Sequence, residues 1–174
     1  MQRILFEMFY QRVYKTAYYI VKDEHLAQDV LQDTFIKAFR HIEQCPDGER
    51  AGAWLATIAS RTAIDYIRKQ KRRNALPFDN VLIENNAFQR EVASSVEQTV
   101  EDAFAIEEIL REIDSLDADS RVVLILKYLH ELKDQEIAEA LDVKLGTVKS
   151  RIFRAKQKLS AILQKNRLMD GESL

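Results

Sequence analysis

Between Ala27 and Ile42 the apolar residues fall three or four positions apart. Ala27, Val30, Leu31, Thr34, Phe35, Ala38, Phe39 and Ile42 therefore share one face of an α-helix. The same spacing runs through Leu5, Phe6, Phe9, Val13, Ala17 and Ile20, and through Leu55, Ile58, Ala59, Thr62 and Tyr66. It returns at Ile106, Ile109, Leu110, Ile113 and Leu116. A chain patterned in this way buries helices against helices. With only 4 Gly and 2 Pro in 174 residues, it lacks the turns of a hairpin-rich sheet. The expected fold class is all-α: two small helical domains joined by a flexible linker, the second containing a helix-turn-helix.

Local signals divide the chain. Asp23 is placed to cap the second helix. The CPDG run, residues 45–48, breaks the pattern, and a third helix is expected from near Trp54 to the basic run RKQKRR, residues 68–73. Trp54, opening an apolar helix, reads as core. After Pro77 the polar stretch FDNVLIENNAFQREVASS has weak periodicity and reads as a tether. The expected boundaries are a first domain over 1–73, a linker over 74–99, a second domain over 100–168 and a disordered tail over 169–174. In the second domain DADS, residues 117–120, caps an apolar helix over 121–129.

Charge is unevenly spread over a chain whose formal net charge is -2. Arg61, Arg68, Lys69, Lys71, Arg72 and Arg73 crowd residues 55–73, where Asp65 is the only acid. Residues 74–115 are acidic, and the chain turns basic again from Val143. Two basic blocks around an acidic stretch suit two contacts with one polyanion, or two solvated helix surfaces.

The second basic block chooses between these. DQEIAEAL, DVKLG and TVKSRIFRAKQKL read as helix, tight turn and helix, with small Ala138 at the crossing and Ile137, Leu141, Val143 and Val148 as its core. Val148, Ile152, Ala155 and Leu159 lie on one face of the last helix; Lys149, Ser150, Phe153, Arg154 and Gln157 lie on another. Lysine, serine and arginine in such a row reach base edges in a major groove, and an aromatic among them reaches a thymine methyl. The backbone N–H groups at Gly146 and Thr147 suit a DNA phosphate. These features indicate a DNA reader without saying what kind of regulator carries it. On the second helix, Asp29, Gln32, Asp33, Ile36 and Arg40 oppose the core, and an exposed isoleucine among carboxylates suits a protein partner.

Three segments, DVLQDTFIKAF, WLATIASRTAIDYIRKQKR and EIAEALDVKLGTVKSRIFRAKQKL, resemble in order and spacing the bacterial sigma factors of the extracytoplasmic-function group. The resemblance covers roughly residues 5–163. It implies a transcription initiation factor that binds core RNA polymerase and directs it to promoters by reading −10 and −35 elements. It implies polymerase docking, on the clamp helices of the largest subunit, through Asp29, Gln32, Asp33, Phe35 and Ile36, and a further contact with the flap of the second-largest subunit. It implies capture of a flipped −10 base by residues 45–53. Reading and melting of that element would fall to Arg61, Thr62, Asp65, Arg68, Lys69, Lys71 and Arg72. Reading of the −35 element would fall to Thr147, Lys149, Ser150, Arg151, Phe153, Arg154 and Lys156. An anti-sigma factor, often membrane-anchored in the family, is implied as a partner. Family members often carry phenylalanine at the positions of Cys45 and Ala51 and asparagine at that of Arg61. A small capping hydroxyl is usual where Lys133 stands, and proline is frequent where Asp117 stands.

Enzyme chemistry is not expected. His25, His41 and His130 are scattered without metal-ligand spacing, Cys45 has no activating neighbour in sequence, and no glycine-rich phosphate loop appears. No catalytic residue, metal or cofactor is expected. The apolar runs fall short of the roughly 20 residues a membrane span needs. With one cysteine, the chain is expected in a reducing, cytoplasmic compartment without direct membrane insertion. A DNA-binding regulator that is not a sigma factor, and a helical adaptor for proteins only, are the other readings.

Overall fold

The computed structural model describes residues 2–48, 50–75, 110 and 112–171. Among these residues there are six α-helices and no strand. In the amino-terminal unit α1 (Gln2–Val21), α2 (Glu24–Arg40) and α3 (Arg50–Asn74) each pack on the other two. The carboxy-terminal unit contains α4 (Ala118–Leu124), α5 (Asp134–Leu141) and α6 (Leu145–Gly171). The linker expected over 74–99, apart from Asn74 and Ala75, and the start of the second domain lie outside the described residues. So does almost all of the acidic stretch.

Caps set the helix boundaries. Asp23, in extended conformation, accepts a hydrogen bond from the Leu26 N–H at 2.8 Å, as its place in the sequence predicted. Asp117 does the same for α4, accepting from the Ser120 N–H at 3.2 Å and the Ser120 hydroxyl at 2.8 Å. The aspartate that stands in place of a frequent proline is thus itself a helix start signal. Lys133 offers no side-chain acceptor at the start of α5, but its N–H donates to the Glu136 carboxylate at 2.7 Å. Asp142, at φ 52°, turns the chain from α5 into α6.

Three boundaries differ from expectation. α3 begins at Arg50, with Ala51 and Gly52 already buried, so the loop expected over 45–53 shrinks to the turn before Arg50. The run RVVLILKYL is not one α-helix: α4 ends at Leu124, and Ile125–Leu129 is wound as a π-turn, with the His130 N–H donating to Ile125 O at 3.2 Å. α6 runs to Gly171, into the expected tail.

The apolar core has two parts. One is internal to the first unit and holds Leu5, Val13, Leu31, Phe35, Ala38, Ala51, Leu55 and Ala59, with Trp54 packed half-buried against it. The other runs through both units. Ala17, Ile20, Ala27, Val30, Ala56 and Ala63 share it with Ile113, Leu116, Val122, Leu126, Ile137 and Val148. The two units are therefore docked on each other, and not merely tethered.

Candidate nucleic-acid interface

On α6 the division of faces is as the spacing predicted. Val148, Ile152, Ala155 and Leu159 are buried, while Lys149, Ser150, Phe153 and Arg154 face solvent. Phe153 is 61% exposed, a large apolar ring held in water between cations. The Ser150 hydroxyl donates to Thr147 O at 3.0 Å and the Arg154 Nε to Ser150 O at 3.3 Å, which fixes both side chains along the helix. Lys156, also exposed, holds its ammonium 5.5 Å from the Tyr128 ring centroid. Thr147 is half-buried, and its N–H is taken by Lys144 O at 2.9 Å, so it is not a free donor for phosphate. Gly146 stands in open space at the helix start. Arg151 departs from the predicted set. Its guanidinium donates to Asp119 at 3.3 Å and its side chain is 20% exposed, so it fastens α6 to α4.

α3 carries the second cationic surface. Asp65, Arg68, Lys69, Lys71 and Arg72 are exposed and line one open depression. Thr62 is corrected out of this group. It is 1% exposed, its hydroxyl donates to Ile58 O at 2.8 Å, and it accepts from Lys37 Nζ at 3.0 Å. Arg61 is exposed but engaged. Its Nε donates to Ala140 O and its terminal nitrogen to Glu139 O at 2.8 Å, so it caps the carbonyl end of α5. A cation at the negative end of a helix is favourable by about 0.3–1 kcal/mol in exposed settings. In this arrangement a side chain predicted for the −10 element is held by the other unit.

On α2, Asp29, Gln32 and Ile36 are exposed, Ile36 at 48%. Asp33 is half-buried and accepts from the Tyr66 hydroxyl at 2.8 Å. Burial, followed by this bond to a carboxylate, pushes the Tyr66 hydroxyl up to about 12. Phe35 is 3% exposed, with its ring against Phe6 at 4.8 Å between centroids, so it lies beneath the face expected to dock and is not part of that surface. Tyr66 and Lys37, which lock α2 to α3, were not among the predicted functional residues. The helical stripe marked Tyr66 as inward-facing without showing the carboxylate it meets.

Polar contacts reinforce the docking of the units. Arg121 reaches from α4 to the end of α1, donating to Ile20 O at 3.1 and 2.6 Å and to Leu116 O at 2.6 Å. Lys22 pairs with Asp114. His130 meets Arg12 and Thr16 of α1. Burial lowers the Arg121 pKa, against the pull of Asp114 and Asp117. Among the described residues no helix is long and apolar enough to cross a membrane.

Comparison with known proteins agrees with this layout. Residues 5–73 match the family model Sigma-70 region 2, and residues 106–159 match Sigma-70, region 4. The chain is 33% identical over 159 residues to the ECF RNA polymerase sigma factor SigM of Bacillus subtilis (strain 168), covering 91% of this chain and 92% of that protein. It is 36% identical over 141 residues to the ECF RNA polymerase sigma-E factor of Escherichia coli (strain K12), covering 78% and 73%. In fold it is similar to the sigma factor RpoE from Bartonella quintana, solved in complex with the anti-sigma factor NepR. That match has a TM-score of 0.64 at 22% identity and covers 91% and 94%. It is also similar to CnrH, solved with the cytosolic domain of CnrY, with a TM-score of 0.55 at 25% identity, covering 95% and 90%. A helix-turn-helix regulator of another kind would leave α1–α3 without a role. The chain belongs to the extracytoplasmic-function family of RNA polymerase sigma factors, and is a transcription initiation factor that directs the polymerase to promoters.

Proposed function

We propose that the two cationic helices divide promoter reading between them. α6 reads the −35 element through Lys149, Ser150, Phe153 and Arg154, with Lys156 beside them. α3 contacts the −10 element through Asp65, Arg68, Lys69, Lys71 and Arg72, joined by Arg61 once α5 is released. The observation that carries this reading is Phe153, a ring 61% exposed among lysine, serine and arginine on the outer face of a helix-turn-helix. Unstacking promoter bases costs a few kcal/mol each, and the cationic surface of α3 offsets that cost by holding the separated strand.

Core polymerase docks on Asp29, Gln32, Asp33 and Ile36 of α2, and the carboxy-terminal unit meets the flap of the second-largest subunit. Phosphodiester synthesis belongs to the polymerase, and this chain works in the cytoplasm without a catalytic group of its own. An anti-sigma factor is a further partner in this reading, supported by the sigma factor RpoE solved with the anti-sigma factor NepR.

Competition for core polymerase tests the docking face. Asp29→Lys is expected to abolish competition with an unlabelled reference sigma factor. Stability should stay within about 0.5 kcal/mol, because the carboxylate points into water. Unaltered competition would remove α2 from the docking face.

A further inference from the structure

The junction between the units contains a polar cluster built on a buried imidazole and a buried hydroxyl, with the exposed Arg12 at its edge. His130, at the end of the π-turn, is 5% exposed. Its Nδ1 lies 3.2 Å from Arg12 Nε and its Nε2 lies 2.7 Å from Thr16 Oγ1, both on α1. Arginine only donates, so Nδ1 must accept. The Thr16 hydroxyl hydrogen is spent on Arg12 O at 2.8 Å, so Thr16 Oγ1 must accept, and Nε2 carries the ring's proton. Both ring nitrogens are matched when the imidazole is neutral. A second proton, on Nδ1, would point at the Arg12 N–H.

The surroundings offer that proton no compensation. Arg12 is the charged group facing the ring from α1. α3 brings Gly52 against the Arg12 guanidinium, where an added Cβ would lie 2.8 Å from it. On the ring's own segment Lys127 is paired with Asp134, and Glu131 is exposed.

We propose that His130 makes the junction a proton-sensitive latch: the closed arrangement accepts only the neutral imidazole, so protonation releases the carboxy-terminal unit from α1 and frees Arg61 from α5. The consequence for DNA rests on the reading of α3 given above. The latch itself does not, and is measured without DNA.

Burial first, and then the Arg12 cation, push the ring's pKa down to about 3 in the closed state. Once the junction opens, the ring returns to the ordinary histidine value near 6.5. The closed state is therefore favoured in full above roughly pH 6.5 and loses ground as pH falls below it. One proton taken up on opening changes the closed-to-open ratio roughly tenfold between about pH 7.5 and pH 5.5.

Hydrogen exchange on the full chain reads this opening even when the open state is rare. Protection of backbone amides in residues 121–130 and 137–141, corrected for the intrinsic pH dependence of exchange, is expected to fall roughly tenfold across the window. Amides around Leu31 and Phe35, in the core internal to the first unit, should keep theirs. In His130→Gln the junction's dependence on pH should disappear. A junction whose protection in the wild-type chain is flat with pH overturns the latch, and so does an equal fall in His130→Gln. If that variant is already open at neutral pH, the wild-type ring decides. NMR titration is expected to show no uptake of a proton by His130 while the junction amides stay protected. A ring that titrates near pH 6.5 inside a closed junction would equally overturn the proposal.

Discussion

Arg151 and Arg154 stand three positions apart on α6 and serve different ends. Arg154 lies along the solvent face over Ser150, while Arg151 turns inward to Asp119. Arg154→Ala is expected to weaken −35 recognition and relax base choice there by about 1–3 kcal/mol, the value of a bidentate contact with guanine. Arg151→Ala is expected to leave base choice unchanged and lower stability by up to about 1 kcal/mol, the range for a partly exposed ion pair. Binding of each variant to matched and scrambled −35 duplexes, alongside urea denaturation, separates the two. Helical spacing made the polar face legible but not this distinction. It fixes the angle at which a side chain leaves the helix, and says nothing of the element that stands opposite. The resemblance assigns Phe35 and Thr62 to interfaces, whereas helical spacing sets both on the buried stripe, and packing agrees with the spacing: Phe6 and Lys37 cover them.

At the scale of elements, boundaries follow caps and close approaches. The Asp117 carboxyl is raised by burial, but bonds from the Ser120 hydroxyl, Lys158 and the Ser120 N–H outweigh that and hold it down at about 2. Its unfolded value is near 3.9. The cap's contribution is therefore complete above roughly pH 4 and is lost as pH falls through about 2. Asp117→Ala should cost about 1 kcal/mol at neutral pH, read from the urea midpoint. Asp117→Asn should flatten the acid limb of the stability curve.

The early start of α3 has a different cause. An added Cβ at Gly52 would lie 2.8 Å from the Arg12 guanidinium and 2.9 Å from the Phe9 ring, so this glycine lets α1 and α3 meet. Gly52→Ala is expected to destabilise the chain by about 1–3 kcal/mol, the usual cost of overpacking, in the same denaturation measurement. Reading the CPDG run as a loop that continued to Ala53 missed this, because a glycine near a break reads as part of the break. The π-turn was hidden as well, since RVVLILKYL is apolar on every side and carries no period to mark its change of winding.

For the whole molecule, the sequence disclosed two helical units and not their docking. Ala17, Ile20, Ala27 and Val30 were legible as an apolar face of the first unit. They prove to be the face that receives Ile113, Leu116 and Val122. Periodicity says that a face is buried without saying what buries it. The polar residues at the junction were still less visible. Arg61 reads as a DNA contact and His130 as an isolated histidine until the fold brings each against the opposite unit.

In the proposed division, two helices, one on each unit, read the two promoter elements. Mapping of transcript start sites with reconstituted core polymerase measures this directly. With the wild-type chain, the aligned upstream sequences should contain a −35 and a −10 motif that core polymerase alone does not select. With Arg154→Ala the −35 motif should lose information at one or two positions while the −10 motif stays as it was. Start sites indistinguishable from those of core polymerase alone, or upstream motifs unchanged by Arg154→Ala, would contradict the assignment.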